Sequence, residues 1–163
     1  MACRGVHFAI TREQADRLVA AVGDDAIMAI VEEIEEVWDA DHLAESDKAW
    51  DAMHRCLTDG SLGAGHGPYP LSHCVLGPRQ LHAGRHYIVS LVLPNEVRDV
   101  AEALQGITEA WFRERYATVL PKDYAPEYGS EDREYTWSNL ESVRELFAKA
   151  SATGRAVVFT VDQ

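Results

Sequence analysis

The chain runs to 163 residues, 47% hydrophobic and 26% charged, with a formal net charge of -12 and a pI near 4.9. A chain of this length buries about 70% of its unfolded surface around one core, so residues 1–163 are expected to form a single domain without a linker. The charge repels phosphate backbones and argues against nucleic acid, and no apolar run approaches the ~20 residues that span a bilayer.

Arg4 to Ile10 reads as a first strand. Thr11 with Gln14 forms a capping box, in which each side chain satisfies the other's free backbone N–H. The helix that follows has the stripe Ala15, Leu18, Val19 and Val22, with Gly23 as its left-handed stop. A second helix is expected over 25–38. Its stripe is Ile27, Ile30, Val31, Ile34, Val37 and Trp38, opposite a solvated face that carries Glu32, Glu33, Glu35 and Glu36. A third helix holds Trp50, Met53, His54 and Leu57 on one face.

The segment from Asp59 to Pro70 is too rich in glycine and proline for regular structure and reads as a surface loop. It has neither the Lys-Ser or Lys-Thr nor the preceding strand of a phosphate-binding P-loop. Leu71 to Leu76 reads as a short strand or turn, and His86 to Leu93 as a central strand buried on both faces. Asn95 is placed as the cap of a fourth helix that stops at Gly106, and Thr108 as the cap of a fifth that carries Trp111, Phe112 and Tyr116. An irregular polar stretch follows, from Pro121 through Tyr135. Aromatic residues between Tyr124 and Trp137 serve either a dimer or the cover of the core. Ser138 with Glu141 reads as a capping box for a last helix, which Gly154 separates from a strand over Ala156 to Val161. The sum is an α+β domain of about six helices packed on a small sheet, formed in part by strands near both termini.

The N-terminus lacks the basic flank and long apolar stretch of a signal peptide, so a cytoplasmic location is expected. Cys3, Cys56 and Cys74 are odd in number and form no CxxC pair; they read as reduced thiols, the latter two packed in the core. No cofactor and no metal are expected. His82 and His86 are four apart but straddle Gly84 at the start of a strand, no HExxH occurs, and His66 and His73 fall in loops that leave them exposed. Ser72 lacks the GxSxG elbow of a hydrolase.

The densest chemistry is Trp50-Asp51 with His54. Asp51 and His54 lie three apart on a helix, so the carboxylate could hold the imidazole in one tautomer, with Trp50 as a flat wall of a pocket. Alternatively, Asp51 pairs with Arg55 at i+4, and His54 bonds a backbone carbonyl of the following loop and locks the Leu71 to Gly77 segment onto the helix.

Four blocks give the chain a resemblance to the YfbM-like family of small bacterial domains of unknown function. They are Gly5-Val6-His7-Phe8-Ala9-Ile10, then Trp50-Asp51 with His54, Leu57 and Thr58, then Pro70-Leu71-Ser72-His73-Cys74-Val75-Leu76-Gly77, and the helix, glycine turn and strand over Leu140 to Val161. One departure is visible. The family has Thr and Gly adjacent at the end of the Trp-Asp helix, whereas Asp59 stands here between Thr58 and Gly60. The resemblance implies an α+β bacterial cytoplasmic domain and brings no reaction with it.

The residues to follow are therefore Trp50, Asp51, His54, Thr58, Ser72 and Gly77 as a ligand-binding or structural motif, and Glu32, Glu33, Glu35 and Glu36 as a face for a basic partner protein. The leading expectation is a non-enzymatic interaction module, of which an antitoxin or immunity-type neutraliser of a basic enzyme is one form. The other is a small-molecule binder or enzyme with a pocket at the Trp50-Asp51-His54 helix, which requires His54 to be exposed in a cleft.

Overall fold

The three most apolar strands have side chains buried on both faces because the sheet lies between two layers of helices. A computed structural model describes residues 3–126 and 128–163. In chain order it has β1 (Gly5–Ile10), α1 (Arg12–Ala20), α2 (Asp24–Val37), β2 (Leu43–Asp47), α3 (Trp50–Leu57), β3 (Tyr87–Val92), α4 (Pro94–Gln105), α5 (Glu109–Val119), α6 (Asp132–Ala152) and β4 (Ala156–Asp162). Short 3-10 turns fall at Ala40–His42, Leu71–His73 and Gly129–Glu131. The sheet is antiparallel in the order β2-β1-β4-β3, so the strands near the two termini are neighbours at its centre.

Period-2 alternation sorts the strand residues between two cores. Val6, Phe8, Ile10, Val89, Leu91 and Val158 pack with Leu18, Ile27, Val31 and Ile34 under α1 and α2. Ala9, Val92, Val157, Phe159 and Val161 face α3 to α6 and meet Met53, Leu104, Phe112, Leu140 and Phe147. The result is one α+β domain of three layers. No helix among the described residues is long and apolar enough to cross a membrane.

Several expectations change. The strand β2 has no apolar run, since Leu-Ala-Glu-Ser-Asp has little strand propensity, and it forms by pairing with β1. The β3 strand is at an edge of the sheet and not at its centre. It looks like a buried strand because residues 79–81 run along its outer side, with Leu81 N–H donating to Val89 O at 2.9 Å and Leu91 N–H to Arg79 O at 3.1 Å. Of the strand or turn expected over Leu71 to Leu76, the turn forms, as 3-10 structure at Leu71–His73.

Helix ends also move. The α1 helix ends at Ala20 with Ala21 extended, so Gly23 instead precedes α2, and Val22 is left 89% exposed. The α2 stripe likewise loses Val37 and Trp38 to solvent, 74% and 43% exposed. Asn95 does not cap α4. Pro94 takes the first helical position, where no N–H is needed, and Leu93 N–H donates to Glu96 Oε1 at 3.1 Å. Ser138 lies inside α6, which starts six residues earlier at Asp132 because nothing from Asp132 to Tyr135 breaks a helix. Both threonine caps form as expected. Gln14 N–H donates to Thr11 Oγ1 and Trp111 N–H to Thr108 Oγ1, each at 3.1 Å.

Candidate functional site

Six of the eight residues of α3 are buried, so the helix that carries the Trp-Asp-x-x-His block is an interior element. Trp50 Nε1 donates to Cys3 O at 3.0 Å, which ties the helix to the chain just before β1. Asp51 accepts from Arg55 Nε at 2.6 Å, and Arg55 Nη1 continues to Gly60 O at 2.9 Å. His54 is fully buried. Leu76 N–H donates to its Nδ1 at 3.4 Å, which leaves the proton on Nε2 to donate to Gly63 O at 3.1 Å. The neutral ring thus bridges two separate backbone segments. Burial lowers the His54 pKa, against smaller opposing effects of the Gly63 carbonyl and of Asp51. Thr58 Oγ1 closes the end of the helix on His54 O at 2.7 Å.

The other block completes the fastening. Gly77 N–H donates to Ser90 Oγ at 3.0 Å and so attaches the segment to β3. Ser72 is buried, and its Oγ meets His73 Nδ1 at 3.1 Å. His73 is not exposed as its loop position implied. Its Nε2 lies 3.1 Å from Glu96 Oε2, and Glu96 Oε1 takes Arg79 Nη1 at 2.7 Å. Burial lowers the His73 pKa against the pull of Glu96. A serine, a histidine and a carboxylate are in line here, but an acyl-transfer triad puts serine on Nε2 and the acid on Nδ1, with the hydroxyl open to substrate. Here the nitrogens are exchanged and Ser72 is closed. The chain of bonds ties the 71–73 turn to α4.

The extra residue Asp59 is accommodated outward. Its carboxylate accepts Ser61 N–H at 3.0 Å and Ser61 Oγ at 2.7 Å, and Gly60 turns the chain at φ +92. A Cβ on Gly60 would lie 2.6 Å from Val119 O. Gly60→Ala is therefore expected to cost more than about 1 kcal/mol, from the left-handed backbone and from the contact with Val119, read as a lower urea midpoint. An unchanged midpoint would mean that the loop has room to shift.

Two polar clusters escaped the sequence reading. Buried Asp132 accepts from Tyr116 Oη at 2.6 Å, Tyr124 Oη at 3.1 Å and Tyr128 N–H at 3.3 Å, which holds the 121–131 connection against α5 and α6. Tyr135 Oη donates to Asp47 Oδ2 at 2.6 Å, and Asp47 stands at φ 43, a left-handed conformation that few non-glycine residues adopt. Tyrosines and acids in an irregular stretch were the available signal, but nothing in the sequence paired them. Among the described residues no group of three or more His, Cys, Asp or Glu is placed to hold a metal; His82 Nδ1 donates to Tyr87 O at 3.0 Å, and Nε2 lies 3.6 Å from Asp24. Burial pushes the Cys56 thiol up to about 12 and raises that of Cys74 further, so both stay protonated.

The four glutamates do not form one free face. Glu33 is held by Arg17 at 2.8 and 3.1 Å. Glu35 turns toward the sheet, where it accepts from Tyr87 Oη and, at 2.9 Å, from Thr160 Oγ1. Glu32 and Glu36 remain exposed, one turn apart, beside Val37 and Trp38. Trp38 ends α2 at φ 45 and packs edge-on against Phe8 at 5.7 Å.

The model of a family described as a domain of unknown function, DUF1877, matches residues 1–160. The fold is similar to the crystal structure of YfbM, a protein of unknown function from Escherichia coli, with a TM-score of 0.69 and 18% sequence identity over 99% of this chain and 99% of that one. No curated protein matches the sequence. With its two motif blocks fastened to one another inside the same α+β fold, and the family model spanning nearly its whole length, this chain belongs to the DUF1877 family as a YfbM-like domain.

Proposed function

We propose that this domain is a non-enzymatic protein-interaction module for a basic partner. The observation that carries the reading is the exterior of α2, where exposed Val37 and Trp38 stand beside the free carboxylates of Glu32 and Glu36. Exposed aromatic anchors beside charges of one sign are what a protein interface uses for affinity and steering. A neutraliser of a basic enzyme, of the antitoxin or immunity type, is the specific form that this charge favours, inside a bacterial cytoplasm. The pocket reading has less support, because Trp50, Asp51 and His54 spend their polar atoms on internal partners and the imidazole presents no surface to a ligand.

The test is affinity recovery from a lysate of the cells that make the protein, with Glu32→Lys, Glu36→Lys and Val37→Lys combined. All three side chains are exposed, so the melting temperature should stay within a few degrees while the partner is lost. Recovery of the same partner at the same yield by the triple variant would overturn the reading of this face.

A further inference from the structure

The two edges of the sheet are treated differently. The outer side of β3 is covered by residues 79–81, whereas β2, at the opposite edge, pairs with β1 alone among the described residues. An open strand edge is a template for another strand, and β2 has the shortness and the exposed charge, Glu45, that keep such an edge from indiscriminate pairing. Alongside β2 runs a groove of about 460 Å³, lined by Ala40, Leu43, Glu45, and by Ser142, Glu145 and Lys149 of α6. Lys149 is turned back onto Asp41 O at 2.7 Å, while the carboxylates of Glu45 and Glu145 are exposed and have no ion-pair partner among the described residues. The groove thus combines a backbone edge, apolar contact from Ala40 and Leu43, and two unneutralised acids.

We propose that the outer edge of β2 receives an extended segment of a partner protein as a fifth strand, with lysine or arginine at alternate positions on the face that carries Glu45 and the intervening side chains on the face toward α6. This names the partner chemistry for the interaction function above and rests on that reading. Backbone pairing gives the affinity in such strand addition, and side chains on one face of the added strand give the specificity. A second copy of this chain is a poor occupant. Antiparallel β2 pairing across a twofold would bring two acidic edges together.

The probe is a capped heptapeptide of alternating lysine and valine, titrated to millimolar concentration into the 15N-labelled protein. Saturable amide shifts confined to residues 40–47 and 142–149 are expected. Glu45→Lys should weaken binding about tenfold or more without changing the melting temperature. A proline at the centre of the peptide should abolish it, because strand addition needs the N–H. Absence of shifts in β2, equal shifts with an alternating glutamate and valine peptide, or dimerisation of the free protein through β2 by sedimentation would each overturn the proposal. The interaction function fails separately. A recovered partner whose exchange protection lies away from β2 overturns the strand addition and leaves the function standing, whereas peptide binding at β2 with no partner recovered upholds the edge and removes the function.

Discussion

Replacing His54 by leucine is expected to cost about 3 kcal/mol of stability, because it removes the partners of a buried and a half-buried backbone group at once and leaves a gap in the core. Gly63 O loses its donor and Leu76 N–H its acceptor, and neither segment has regular structure to fall back on. In a domain of this size that is roughly 6 to 12 °C in Tm. The 3.4 Å contact to Leu76 is long, so most of the loss is assigned to Gly63 O. His54→Gln can still donate to Gly63 O and should recover part of the loss, which separates a missing hydrogen bond from a cavity. Urea midpoints of the two variants give the answer. A leucine variant as stable as the parent would show that the bridge carries no net stability, and would return His54 to consideration as a site residue.

That bridge explains how far the sequence could be read. The spacing of Trp50, Met53, His54 and Leu57 put one histidine in an apolar stripe, and the inward face of α3 followed from that alone. Both of the ring's alternatives were open because its partners, Gly63 and Leu76, lie nine and twenty-two residues away in segments with no periodicity. Local signals were legible wherever the physics is local. Both threonine caps and the terminal strands needed only their own neighbours. What failed depended on tertiary contact. The β2 strand exists through β1, β3 looks central because residues 79–81 cover it, and the Glu35 carboxylate turned inward because Tyr87 and Thr160 offer it hydroxyls. Val37 and Trp38 read as core because the helical period continues through them, although the helix ends there.

His7 supplies the second large effect, in pH and not in sequence change. Its ring is fully buried between Phe147 and Phe159, at 6.0 and 4.7 Å between centroids. Nε2 donates to Cys74 O at 2.8 Å, and Nδ1 has no hydrogen-bond partner. Burial lowers its pKa to about 4 from 6.5, the Cys74 carbonyl opposing in part. Between those values the unfolded chain binds a proton that the native state refuses, so stability rises with pH there and is lost as pH falls from 6.5 toward 4. The full loss is about 3 kcal/mol on the usual 1.36 kcal/mol per unit. His54 and His73 titrate with the same sign, and the lowered carboxylates, among them Asp24, Glu33 and Asp39, act at more acid pH. Relief of the -12 net charge on approach to pH 4.9 acts in the opposite direction. Those contributions are shared by His7→Gln, which keeps a donor for Cys74 O but does not titrate. The difference between the two proteins in urea-derived stability, measured from pH 7 to 4.5, should therefore shift in favour of the variant by about 2 kcal/mol as pH falls. Parallel stability curves would mean that His7 accepts its proton inside the fold, and that the bare Nδ1 finds a partner on protonation.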